Sequence, residues 1–146
     1  VILYSDFPTA MVQLLMGCAV TLVFTSLAFL TAMLTTEKTR GIGATLLLWL
    51  LFTMIYDAVL LFFVFLFSDY PIEKPLMGLL MINPLDLARF QVILKMDVSA
   101  MMGYSGALFK DFLGDTWGII VSSFLLLAWI ILPYALSQRL FGKKDL

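Results

Sequence analysis

The sequence predicts an all-α integral membrane fold: three transmembrane helices plus a partly re-entrant, amphipathic helical segment. Three observations lead there. Residues of the AVILMFWYC set make up 62% of the 146-residue chain and charged residues only 13%, whereas soluble domains carry about 45–50% and about 25%. Three runs have almost no charge and are long enough to cross a hydrocarbon core of about 30 Å, which takes about 20 helical residues. Lysine and arginine gather at the ends of those runs that would share one side of a membrane. A mean hydropathy of +1.04 leaves too little polar surface to coat a water-soluble globule.

The first span is placed at residues 9–36. No charged residue occurs from Phe7 to Thr36, and the small residues of "MGCAVTLVFTSLA" suit close helix packing. The second is placed at 42–68, where Asp57 is the one charged residue. The third is placed at 116–138, which carries no charge. Backbone groups in lipid must be bonded internally, so such runs are helices. Trp117 suits an interfacial anchor. Trp49 and Trp129 lie deeper and are expected to pack, and Pro133 is expected to kink the last helix.

Lys38 and Arg40 lie between the first two spans, and Arg139, Lys143 and Lys144 follow the third. Both groups are read as cytoplasmic. Residues 69–115 then lie outside. They hold six acidic and four basic residues, with no positive-inside signal. Within them "INPLDLARFQVILKMD" starts a helix: Asn83 caps, Pro84 fits the first turn, and Asp86 sits at the positive helix end. Asp86, Arg89 and Asp97 fall on one stripe, read as a structural ion-paired trio, with Gln91 and Lys95 on another side. Leu85, Val92 and Met96 form one apolar band, and Leu87, Phe90 and Leu94 a second. Such a helix is expected to be wedged between protein and headgroups or between two protein surfaces. The following stretch, with Gly103 and Gly106, is expected to dip into the outer leaflet as a helical hairpin.

Several function classes drop out. The net charge is −1 and there is no basic stripe, so no nucleic-acid partner is indicated. The chain has no histidine and one cysteine, Cys18, which removes a disulfide framework, most metal sites and the Ser-His-Asp triad. No Walker sequence is present. The nine methionines, among them Met96, Met101 and Met102, are read as apolar filler rather than as copper ligands. No catalytic, cofactor-binding or metal-ligating residue is assigned. Asp57 stands out, because an acid at the membrane centre costs roughly 2.5–3.5 kcal/mol and such residues mark pathways or helix pairing. Two readings stay open: a polar group on a translocation path, or a protonated acid pairing helices. Thr53, one turn earlier, is placed to donate a hydrogen bond to it.

Residues 82–109, "INPLDLARFQVILKMDVSAMMGYSGALF", and 37–61, "EKTRGIGATLLLWLLFTMIYDAVLL", resemble the NosY-type permeases. These are the membrane subunits of the ABC-2 transporter that serves maturation of nitrous-oxide reductase. The resemblance extends over nearly the whole chain. It implies half of a six-span ABC-2 permease, with the spans here being the fourth to sixth and 69–115 the outer re-entrant region. The chain is accordingly expected to be a piece of a longer protein.

The resemblance further implies a multi-pass protein of the bacterial inner membrane, embedded in lipid and paired as a homodimer. Its partners would be a cytoplasmic NosF-type ATPase, which binds the ATP and for which Lys38 and Arg40 are the expected contact, and a periplasmic β-helical NosD-type protein. Asp86, Arg89, Lys95 and Asp97 are the expected periplasmic contact. This chain itself would hold no cofactor and catalyse nothing. Its function would be to couple ATP hydrolysis to cargo export or to a periplasmic partner during copper–sulfur centre assembly. The alternatives are another ABC-2 exporter, or a non-transporting membrane scaffold for a periplasmic assembly factor.

Overall fold

The computed structural model describes the backbone of residues 2–96 and 104–144 and the side chains of 7–92 and 116–143. The described elements are helical throughout. They run α1 (Ile2–Leu34), α2 (Lys38–Leu50), a π-helical turn (Leu51–Ile55), α3 (Tyr56–Leu66), α4 (Glu73–Ile82), α5 (Pro84–Met96) and α6 (Tyr104–Lys144).

Three segments are long and apolar enough to cross a membrane: Phe7–Leu34, Lys38–Leu66 and Thr116–Lys143. The second is composite, because α2, the π turn and α3 follow one another without a break. It begins at Lys38, four residues before the expected start. The third runs on to Lys143, and α6 continues as helix through Pro133 to Lys144.

A tight turn joins α1 to α2. Gly41 gives room there, because a Cβ at that position would meet the Thr35 hydroxyl at 2.9 Å and the threonine side chain would have to shift. The Thr31 and Thr45 hydroxyls, 2.7 Å apart, tie the two helices one turn further in. Hydroxyls along α1 also bond carbonyls of their own helix: Thr21 to Gly17, Thr25 to Thr21, and buried Ser26 to Val23. That satisfies them without water. The ends of α1 and α6 meet at Phe29, Met33, Ser137 and Phe141. The α1–α2 turn with its basic residues thus shares one end of the bundle with Arg139 and Lys143, as the charge pattern predicts.

The small-residue stretch of α1 meets its neighbours in its second half, where Ser26 is buried, and not in its first. Nothing lies within 4 Å of a Cβ placed on Gly17, and Cys18 is exposed. The core contribution of α1 comes instead from Val23 and Leu27, which pack with Phe52, Leu87, Ala88 and Leu126. Phe52 meets Phe24 and Trp129 edge-on, with ring centroids 6.5 and 5.4 Å apart. Trp129 packs as expected, whereas Trp49 is half exposed. Phe24, Phe52 and Trp129 each lie near the middle of their span. Leu87 and Ala88 of α5 share that cluster, so α5 descends to the middle of the bundle.

The re-entrant element is therefore an arch made of α4 and α5, which meet at Asn83. The expected hairpin after residue 97 is not formed within residues 104–115, whose backbone is the beginning of α6. Gly103 lies outside the described residues. The arch forms where the sequence marks it. Asn83 is extended, with φ −86° and ψ 116°, as a residue before proline prefers. Pro84 then opens α5, and the Asn83 side-chain oxygen accepts from the Leu85 N–H at 3.1 Å. Leu76 and Leu80 of α4 pack on Leu60 of α3, while Met77 of α4 packs on Phe90 of α5.

Candidate functional site

The polar residues of the second span and of the arch come together at one junction inside the membrane. It begins with the π turn. In an unbroken α-helix the Tyr56 N–H would bond the Phe52 carbonyl, but here it bonds the Leu51 carbonyl. That leaves the Phe52 carbonyl to the Asn83 side chain, whose Nδ2 donates to it at 3.0 Å. The same Nδ2 donates to Asp86 Oδ2 at 3.0 Å. Asn83 is fully buried, and with its cap bond to Leu85 its amide is well used. Four residues past Phe52, the Tyr56 hydroxyl donates to the Leu79 carbonyl of α4.

Asp57 is answered by the arch. Arg89 Nη1 lies 3.0 Å from Asp57 Oδ2 and 3.4 Å from Asp86 Oδ1. Helical spacing brings Asp86 and Arg89 to one face of α5, and the π turn presents Asp57 to that face. The three groups line a cleft of about 270 Å³ together with Leu60, Leu61, Leu80 and Phe90. Asp86 is buried, and its carboxyl takes bonds from Arg89, which it shares with Asp57, and from the Asn83 amide.

Several expectations are corrected here. Arg89 pairs with Asp57 of the second span as well as with Asp86; Asp97 lies outside the described residues. Thr53 does not donate to Asp57. Its hydroxyl bonds the Trp49 carbonyl of its own helix at 2.7 Å, because a threonine in a helix reaches back four residues more easily than forward. Asp86 is buried, so it does not present a free face to a soluble partner. Arg89 uses its guanidinium on the two acids. The Lys95 side chain lies outside the described residues. At the other end of the bundle Lys38 lines a cleft of about 480 Å³ between α1 and α2. There Arg40 pairs with Glu37 at 3.0 Å, an exposed bridge of small energetic weight.

Sequence reasoning missed three features. Gln91 Nε2 donates to the Ser122 and Ser123 hydroxyls of α6 at 2.9 and 2.8 Å, which pins α5 to the third span. Asn83 reaches across to the Phe52 carbonyl. The π turn has no glycine or proline to mark it. A detectable signal was the surplus of donors, since a buried asparagine or glutamine needs partners for both N–H groups. Among the described residues no three of His, Cys, Asp and Glu gather as a metal site, and no buried side-chain nitrogen or oxygen lacks a partner.

Over residues 2–146 the sequence matches the ABC-2 family transporter protein family. The chain belongs to the ABC-2 transporter family. It is also 33% identical over 91 residues to a protein of Pseudomonas aeruginosa described as "Probable ABC transporter permease protein NosY". That alignment covers 62% of this chain but only 32% of the Pseudomonas protein, so the matched stretch is about a third of its length. No solved structure matches at a significant level. Family membership and three membrane-crossing helices make this a multi-pass membrane protein of a transport system. The junction ties the α4–α5 arch to a span whose other end is at the basic, turn-bearing side of the bundle.

Proposed function

We propose that this chain is the distal half of a NosY-type permease, which couples ATP hydrolysis on a partner subunit to a periplasmic step in nitrous-oxide reductase maturation. The permease reading is supported by the family match along the chain, and the maturation role by the likeness to the Pseudomonas protein named NosY. The observation that carries the coupling is the bonded arch. Asn83, Tyr56 and Arg89 connect it to the second span, and Gln91 to the third. A displacement of the spans at the basic end therefore has a polar, directional route to the outer segment.

In this reading the protein lies in the bacterial inner membrane as a homodimer. A NosF-type ATPase docks near Lys38 and Arg40, and holds the ATP. A NosD-type β-helical protein docks on the outer segment, residues 69–115. No cofactor sits on this chain. The complex then moves either a cargo or a periplasmic partner during copper–sulfur centre assembly.

Purification of the intact protein from mild detergent is expected to bring an ATPase subunit with it. Its absence would remove the reading. A strain whose ATPase binds but does not hydrolyse ATP is expected to accumulate reductase lacking its copper–sulfur centre. Fully matured reductase in that strain would leave a passive scaffold as the function.

A further inference from the structure

The π turn lies at mid-span, between two halves of one helix that have different neighbours. An extra residue in a helix, if absorbed as a π turn, leaves the two flanks in register. If the turn relaxes to α, the flanks slip by one residue, which rotates one against the other by about 100°. The consequence for α3 is large, because Tyr56, Asp57 and Leu60 all use the face that the π turn gives them. Something has to hold the turn, since it leaves the Phe52 carbonyl without its usual helical donor in a place where no water replaces it. The group present is the Asn83 amide, at 3.0 Å and fully buried. It comes from the hinge of the arch itself, between α4 and α5.

We propose that Asn83 is a positioning residue: by occupying the Phe52 carbonyl it holds the π register of the second span, and so aims Asp57 at Arg89. The arch thereby sets which face of the outer half of the span meets it. Loss of the Asn83–Phe52 bond releases α3 to turn away from the arch, and the ion pair opens with it. This action is separate from capping, which uses the Asn83 oxygen and not its nitrogen.

The inference makes Met54 special. Met54 belongs to the π turn and is mostly exposed on the outer surface of the helix. Its deletion makes the Tyr56–Leu51 bond an ordinary i to i−4 bond and keeps both flanks in place. The Phe52 carbonyl then receives the Asp57 N–H, and Asn83 is no longer required.

The test uses full-length protein in native membranes, with Cys18→Ser and the reporter pair Leu60→Cys and Leu80→Cys, two positions packed together between α3 and α4. Oxidative crosslinking reads the register. Asn83→Ser retains a capping oxygen but not the amide, and is expected to lower crosslinking about tenfold, as loss of one buried amide–carbonyl bond implies. Deletion of Met54 is expected to crosslink like the parent. Deletion of Leu47, in regular helix, is expected to abolish it. Combined with the Met54 deletion, Asn83→Ser is expected to have little effect.

Unchanged crosslinking in Asn83→Ser would overturn the proposal. So would an equal loss in both backgrounds, which would mean that the amide acts through its bond to Asp86 and not through the π turn. If Asn83→Ser does not accumulate, the two deletions decide: loss of the crosslink on removing Met54 means that the flanks are not held in register by a π turn. None of these readouts depends on what the transporter carries.

Discussion

The first and second spans are close to identical by length and hydropathy, 28 and 29 residues at 2.1 and 2.3, yet they are held in opposite ways. In the most apolar window of the first, 22% of residues are buried, against 6% in the second. The first span is gripped by side-chain packing, with Val23 and Leu27 in the central cluster, and its hydroxyls turn back on its own carbonyls. The second contributes few buried side chains and is held by polar ties to the arch, through Phe52, Tyr56 and Asp57. Lipid tails are as apolar as leucine, so apolar surface gives no preference for protein over lipid. A sparsely packed span needs directional bonds to fix its rotation, and such bonds can be exchanged without unpacking a core.

The sharpest way to break this contrast is Arg89→Ala. It leaves Asp57 facing an apolar surround, and is expected to cost about 2.5–3.5 kcal/mol, the insertion penalty of an unpaired acid near the membrane centre. Thermal unfolding in detergent measures it, and adding Asp57→Ala is expected to recover most of the loss. Equal losses in the single and double variants would mean that the charges are not paired.

Leu27→Ala probes the packed span. It opens a cavity beside Phe52 and Leu126 and is expected to cost about 2 kcal/mol in the same assay, without altering the reactivity of cysteines placed on the arch. A change on the arch would mean that the two modes of attachment are not separate.

Tyr56→Phe removes one tie while keeping the ring, and about 1 kcal/mol is expected. Faster labelling of Leu79→Cys beside it would show the local loosening directly. Thr53→Val is expected to change stability by less than about 0.5 kcal/mol, since its hydroxyl serves only its own helix. A larger loss, or altered transport coupling, would restore Thr53 to the junction.

Much of the architecture was legible in local patterns. Charge-free runs located the spans, and Asn83, Pro84 and Asp86 marked the start of α5 because capping and proline geometry are local. Where the pattern was ambiguous, the reading strayed. Gly106 suggested a break, but α6 runs through it from Tyr104, since glycine permits a break without requiring one. Gly17 and Cys18 suggested close packing, but the tight approach falls at Gly41. The spacing of Asp86 and Arg89 on one face of α5 was correct. It could not reveal that a second acid, from another helix, would take Arg89.

By itself the sequence determined that this chain lives in a membrane, how many times its helices can cross, which end carries the basic residues, and where α5 begins. Those properties follow from transfer free energy and from bonds spanning a few residues. The depth of the arch, the π turn and the partnership of Asp57 with Arg89 were decided only in three dimensions. Each depends on which groups distant in sequence meet where no water is available, and a buried donor there takes whichever acceptor the packing brings within reach.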